Sequence, residues 1–106
     1  MTPIQDITSD IKAYTEALTA FNIKHADDNK YALREYKVSY GKAYARISAK
    51  DVHGTSESAY AFVALTDNKL PLGSILKPKG WKSPTLNFAR GNVIGAEYKI
   101  TSPYGV

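Results

Sequence analysis

The chain has 106 residues, of which 43% are hydrophobic and 23% charged, and its formal net charge is +4 at pH 7. This length and composition fit a single globular domain, residues 1–106, rather than a disordered chain. The absence of cysteine excludes disulfides, thiol catalysis and thiolate metal sites, and no apolar run approaches the roughly 20 residues that a membrane helix needs.

The N-terminal segment carries a strong helix signal. Thr2-Pro3-Ile4-Gln5 has the pattern of a capping box with proline at the first helical position. The helix should end near Lys24, before the turn-forming Asp27-Asp28-Asn29. Apolar residues recur at helical spacing along this segment and predict one stripe that packs on a sheet: Ile4, Ile7, Ile11, Tyr14, Leu18 and Phe21.

A β region follows the helix. Alternating or apolar segments bounded by turn residues predict five strands: residues 33–40, 43–50, 57–65, 70–77 and 93–100. Pro71 and Gly73 weaken the fourth of these. Because short connections favour antiparallel neighbours, we expect an α+β domain in which the N-terminal amphipathic helix packs on an antiparallel sheet of four to five strands. A long basic C-terminal loop, residues 75–94, would complete it.

Alternation assigns two faces to the second and third predicted strands. Small residues would let the helix approach one face closely: Ala43, Ala45, Ala49, Ala59 and Ala61. The other face would carry aromatic and basic residues: Tyr44, Arg46, Lys50, Tyr60 and Phe62. Rings beside cations on an open sheet are typical of a stacking platform for single-stranded nucleic acid. Alternatively, Trp81 and Phe88 of the basic loop cover these rings and form a second small core.

The basic loop reads ILKPKGWKSPTLNFARGNVI and holds the only tryptophan of the chain but no acidic residue. Lys77, Lys79 and Lys82 bracket Trp81, and Arg90 follows. This interleaving suits a phosphate backbone contacted by cations while a ring stacks on a base. In the alternative interpretation Trp81 anchors the loop to the body of the protein, and the four cations face outward.

Charge is unevenly distributed along the chain. Acids outnumber bases in residues 1–28 and 51–68, and bases outnumber acids in residues 29–50 and 69–106. Such a molecule has a preferred face for anionic partners, which include nucleic acid and the acidic face of another protein. An unevenly charged but merely solvated surface is the alternative.

The sequence contains no recognisable catalytic motif. GxGxxG, Walker, HExxH and GxSxG patterns are all missing. Asp51, His53 and Ser56 lie near one another in a hairpin loop, but an exposed loop lacks the buried shell that orients a triad. With His25 as the only other histidine, no His-rich metal site can form. We therefore predict no enzyme activity and no catalytic, cofactor or metal site.

Residues 62–94 resemble a segment of small bacteriophage-encoded proteins. The matching features are Ile75-Leu76-Lys77 after a glycine-containing hairpin, then Trp81-Lys82-Ser83-Pro84 and Ala89-Arg90-Gly91-Asn92-Val93. Ser74 stands where such proteins commonly carry an acidic residue. The resemblance covers about a third of the chain and implies a phage protein that acts in the host bacterial cytoplasm or, as the less favoured alternative, in a virion. The resemblance assigns no functional role to any residue of this chain.

Two functions remain as hypotheses. The first is a small non-enzymatic phage protein that binds nucleic acid, with single strands favoured, through one basic and aromatic surface: Lys77, Lys79, Lys82, Arg90, Tyr44, Arg46, Tyr60, Phe62 and Trp81. The second is an inhibitor or modulator of a host protein, such as a defence factor or a nucleic-acid enzyme. A homodimer through the helix or an edge strand is compatible with either function.

Overall fold

The computed structural model describes residues 7–26, 33–52, 54, 57–67, 70–87 and 89–100. Its elements in chain order are α1 (Thr8–Ala26), β1 (Arg34–Tyr40), β2 (Tyr44–Asp51), β3 (Glu57–Ala64), β4 (Ile75–Leu76) and a 3₁₀ helix (Ile94–Ala96). The strands form one antiparallel sheet in the order β1-β2-β3-β4, and α1 packs on one of its faces. The predicted α+β architecture is confirmed.

Helix α1 lies on the sheet through the predicted apolar stripe. Ile7, Ile11, Tyr14 and Leu18 are buried in one cluster with residues of β2 and β3. The helical spacing of apolar residues did not predict the burial of Asn22, which is fully buried. Its Oδ1 accepts a 2.7 Å hydrogen bond from the Arg34 backbone N–H. This bond ties the last turns of the helix to the first residue of β1. The proposed capping box at Thr2–Gln5 and the turn at Asp27–Asn29 lie outside the described residues.

A β-bulge changes the predicted faces of β3. Ile47 pairs with Ala61 whereas Ser48 pairs with Ala59, so Tyr60 is the extra residue between the two pairs. An extra residue shifts the alternation of side chains between the two faces, so the pattern read on one side of the bulge does not continue on the other. Tyr60 consequently joins the core beneath α1, and Ala59 lies opposite Ser48 on the other face, which corrects the prediction for both.

The bulge places Tyr60 in a buried tyrosine cluster. The Tyr14 and Tyr60 hydroxyls are hydrogen-bonded to each other, and the Tyr60 ring meets Tyr36 edge-on at 5.6 Å between centroids. Tyr98 packs edge-on against Tyr14 at 4.6 Å. Burial, the largest cause, raises the pKa of Tyr14 above its ordinary value and raises that of Tyr60 to about 12. Hydrogen bonding inside the cluster satisfies hydroxyls that burial would otherwise penalise.

The C-terminal third differs from the prediction in its strands. Strand β4 is limited to Ile75 and Leu76, and residues 93–100 contain the 3₁₀ helix rather than a fifth strand. Positive φ angles at Gly95 (73°) and Ala96 (54°) are incompatible with an extended strand. Asn92 stabilises the resulting turn, since its Oδ1 accepts from the Ile94 N–H and its Nδ2 donates to the Leu72 carbonyl.

The basic loop folds back on itself instead of running as irregular coil. Backbone hydrogen bonds from Thr85 to Lys77 (2.8 Å) and from Lys79 to Ser83 (2.9 Å) close a narrow excursion, here named the basic hairpin, residues 77–85. The chain then returns to the free side of β4, where Ile75 donates to the Gly91 carbonyl. Within the described parts of the chain, no helix is long and apolar enough to cross a membrane.

Candidate nucleic-acid interface

The face of the sheet opposite α1, called the outer face below, holds a second small core. Phe62 on β3 and Leu76 on β4 lie directly opposite each other and are 3% and 0% exposed. Neither belongs to the cluster beneath α1. Pro84 of the basic hairpin is also buried, which is consistent with the hairpin lying over these two side chains. Of the predicted stacking platform, Phe62 is therefore buried on this face, whereas Tyr44 and Arg46 stay partly exposed.

Arg46 connects the outer face to the basic hairpin. Its guanidinium carbon lies 4.0 Å from the centre of the Trp81 ring, and its Nη1 donates a 3.3 Å hydrogen bond to the Trp81 carbonyl. A planar guanidinium can stack on an indole face and donate at its rim at the same time. The contact therefore fixes Trp81 on the sheet while 40% of that residue stays exposed.

Cationic residues lie on both sides of Trp81 along the chain, and Arg46 lies over its ring. Lys79 and Lys82 are close to it on the tip of the hairpin, Lys77 is at its base, and Arg90 follows the return to β4; all four are exposed. The basic hairpin itself contains no carboxylate. The result is an exposed indole on a hairpin whose charged side chains are all cationic, which has the composition of proteins that bind single strands by stacking and phosphate contacts.

A pocket of about 290 Å³, named the turn pocket, lies between the β1–β2 turn and the hairpin tip. Its lining residues are Ser39, Tyr40, Gly41, Lys42, Ala43, Tyr44, Arg46, Phe62 and Lys82. Three of them are cationic and, among the described residues that line it, none is acidic. Nε of Arg46 is buried and has no acceptor within the described residues, so this guanidinium retains unused donor capacity.

A second pocket, of about 350 Å³, lies between Trp81 and the first residues of β3. Its walls include Pro78, Lys79 and Gly80 of the hairpin and Glu57 of β3. Glu57 accepts a hydrogen bond from Ser48 and is paired with Lys50 across the strands. A carboxylate in the wall makes this end of the outer face less suited to anions than the turn pocket.

The predicted site residues fall into three groups. Tyr44, Arg46 and Lys82 meet in the turn pocket, and Trp81 joins them through the Arg46 stack. Lys77, Lys79 and Arg90 are exposed around this centre. Tyr60 is 2% exposed on the helix side and Phe62 is covered, so neither ring can offer a face to a base.

Tyr40 and Lys42 are among the lining residues of the turn pocket that sequence reasoning missed. They belong to the turn at Gly41, and only the folding of the basic hairpin over β2 brings Lys82 to the same cavity. A weak signal was present, because Tyr40-Gly41-Lys42-Ala43-Tyr44 places a cation in a tight turn between two tyrosines.

Several sequence predictions fall on parts of the chain that the structure does not describe. Phe88, His53 and Ser56 lie outside the described residues, as do the acids Asp27 and Asp28. Among the residues that are described, no group of three or more histidine, aspartate and glutamate side chains is placed to hold a metal ion.

Neither a family model, nor a curated protein, nor a solved structure matches the chain. The geometry of the outer face therefore has to support the functional argument.

Proposed function

We propose that the chain is a non-enzymatic module that binds single-stranded nucleic acid through the basic hairpin and the adjoining outer face. The observation that supports this best is Trp81, held on Arg46 and left 40% exposed among Lys77, Lys79 and Lys82. Stacking on an exposed aromatic ring contributes about 1–3 kcal/mol per base. The lysines would contact phosphates and steer the strand toward the ring.

A single strand suits this surface better than a duplex. A base can stack on Trp81 only when it is unpaired or turned out of its helix, since paired bases cover each other's faces. The hairpin is a short excursion that lies close to the sheet, and its exposed groups are one ring and several flexible lysines. Such a surface offers phosphate contacts and stacking, with few donors for reading base edges, so the expected binding is tolerant of sequence.

The proposal is tested by measuring the affinity of labelled single-stranded DNA and RNA for four variants. Lys79→Ala and Arg90→Ala should each weaken binding and reduce the slope of log K against log salt by roughly 0.7, the value for one phosphate contact on a single strand. Trp81→Ala should weaken binding about 5- to 150-fold, which corresponds to the loss of one stacked base. Lys12→Ala, on the exposed side of α1, is the matched control and should bind as the parent does. Failure of the parent protein to bind at low salt would refute the proposal.

Binding to an acidic face of a host protein is the second candidate. Exposed tryptophan, tyrosine and arginine are the residues most often found as hot spots of protein interfaces, and Trp81, Tyr40 and Arg46 have this character. A pull-down from bacterial lysate that recovers one stoichiometric protein, lost on Trp81→Ala and insensitive to nuclease, would favour this function over the first.

The resemblance of residues 62–94 to small phage-encoded proteins suggests where either function would operate. We infer a phage protein that acts in the host bacterial cytoplasm. Gly91 and Asn92 of the resembling segment have structural roles, since Gly91 pairs with Ile75 and Asn92 bonds to Leu72 and Ile94. The segment's cations, by contrast, are exposed.

A further inference from the structure

We propose that the turn pocket is a binding subsite for one nucleotide unit, which receives both a phosphate and the base attached to it. This inference rests on the proposed function and adds a specific place and ligand to it. It assigns roles to Lys42 and Tyr44, which lie on or beside the β1–β2 turn, far in sequence from the basic hairpin that supplies Lys82.

The cations of the turn pocket fit a phosphate group. Lys42 comes from the turn, Arg46 from β2 and Lys82 from the hairpin tip, so the three charges approach the cavity from three separate segments. Mutual repulsion of three cations around one cavity is relieved when an anion enters it. The only hydrogen bond that Arg46 makes within the described residues is the 3.3 Å bond from Nη1 to the Trp81 carbonyl, and a guanidinium has further donors that can form charge-assisted bonds to a phosphate oxygen.

The aromatic wall of the pocket fits a base. Tyr44 pairs with Ala64 across β2 and β3 and, like Arg46, belongs to the outer face. Its direct cross-strand neighbour is therefore a small side chain, and the ring of Phe62 on the same strand lines the pocket as well. Tyr44 is partly exposed and lines the same cavity as the cations, so a base stacked on it keeps its own phosphate within reach of Lys42 or Lys82.

The size and electrostatics of the cavity limit the ligand to a single unit. At about 290 Å³ it lies at the lower end of the roughly 300–1,000 Å³ found for small-molecule sites. The neighbouring pocket beyond Trp81 contains Glu57, whose charge disfavours a second phosphate there. A bound strand would therefore place one nucleotide in the turn pocket and the next base on Trp81.

The test is a backbone amide NMR titration of the intact protein with adenosine monophosphate, and separately with adenosine and with inorganic phosphate. Adenosine monophosphate should shift the amides of residues 39–46 and of Lys82, more strongly than adenosine or phosphate does at equal concentration. Lys42→Ala should reduce the affinity about tenfold or more, as expected for the loss of one charge-assisted contact. Lys37→Ala, which removes an exposed lysine of β1 that does not line the pocket, should leave the affinity unchanged.

Three outcomes would overturn the subsite. One is an absence of shifts at residues 39–46, another is an equal response to phosphate alone, and the third is equal weakening by Lys42→Ala and Lys37→Ala. If oligonucleotide binding persists in any of these cases, the proposed function stands and only the subsite fails. If oligonucleotides do not bind while the mononucleotide shifts appear, the pocket is a nucleotide site and the proposed function fails.

Discussion

The hydroxyls of Tyr14 and Tyr60 meet in the core, where both residues are about 2% exposed. Their hydrogen bond satisfies two polar groups that cannot reach water, and it links α1 to the bulge of β3. Removing one partner leaves the other hydroxyl buried without that bond, at a cost of about 1–3 kcal/mol. The pair therefore stabilises the bulge as well as the helix packing.

The raised pKa values of the buried tyrosines predict that the free energy of unfolding falls in alkaline solution. The pKa of Tyr60 is raised to about 12 and that of Tyr14 is raised further, mainly by burial, from about 10 in an unfolded chain. The unfolded state releases these protons first, so the stabilisation is complete below about pH 10 and is lost as the pH rises toward the folded pKa values. The free energy of unfolding should then fall by up to about 1.4 kcal/mol per pH unit for each tyrosine.

Urea denaturation between pH 8 and pH 11 measures this dependence. Tyr60→Phe should lower stability at pH 8 and flatten the alkaline decline, because one titrating group is gone. Tyr40→Phe alters a ring that is 53% exposed and should reproduce the parent curve. Identical pH profiles for the parent and Tyr60→Phe would contradict the account of the tyrosine pair.

At the scale of elements, the apolar seam of α1 holds the helix on the sheet. Leu18 is 1% exposed within the main core cluster, and an aspartate there would either bury a charge or separate the helix from the sheet. Leu18→Asp should cost more than about 4 kcal/mol, a large part of the roughly 5–15 kcal/mol that stabilises a domain. A thermal melt followed by circular dichroism should show no cooperative transition. The control Ala13→Asp, on the exposed side of α1, should retain it, and an unchanged melt for Leu18→Asp would refute this packing.

The turn before β4 depends on a glycine. Gly73 has φ = +85°, and a Cβ at this position would lie 2.5 Å from Oδ1 of Asn92. Gly73→Ala should therefore lower stability by about 1–3 kcal/mol, because it combines backbone strain with a clash. Gly80→Ala is the matched control, since a Cβ at Gly80 meets nothing within 4 Å, and its effect should stay near zero. Chemical denaturation distinguishes the two, and equal stability of both variants would show that the Gly73–Asn92 contact is misplaced.

The elements that the sequence predicts well are those with an uninterrupted period. Spacings of three and four between apolar residues predict the buried face of α1, and alternation of apolar and polar residues predicts β1 and most of β2. The bulge at Tyr60 was missed because an extra residue is invisible in a pattern of alternating apolar residues. Residues 93–100 have the composition of a strand, and the positive φ of Ala96, a non-glycine residue, is not visible in that composition.

For the candidate site, the sequence predicts which kinds of residue take part but not how they are brought together. The cations of residues 77–90 and Trp81 are predictable because they lie within one short segment of the sequence. The stack of Trp81 on Arg46 and the approach of Lys42 to Lys82 depend on how the basic hairpin lies over the sheet. Contacts between such distant segments have no periodic signature, so Lys42 and Tyr40 were missed.

Considered as a whole, the molecule has a sheet with different roles on its two faces. The helix side contains the main core, while the outer face has a small core under the basic hairpin and the cationic and aromatic groups around it. The uncovered part of the outer face and the hairpin tip form one surface that is centred on the Arg46–Trp81 stack. We therefore expect one binding surface, opposite the helix, which the sheet supports.

The most direct test of this account is the fluorescence of Trp81, the only tryptophan in the chain, during titration with a single-stranded oligonucleotide of about 15 nucleotides at several salt concentrations. Stacking should quench the emission. The logarithm of the association constant should fall linearly with the logarithm of the salt concentration, and each contacted phosphate should add about 0.7 to the steepness of that slope. A duplex of the same sequence should bind more weakly. An oligonucleotide that neither changes the emission of Trp81 nor binds at low salt would contradict the central claim.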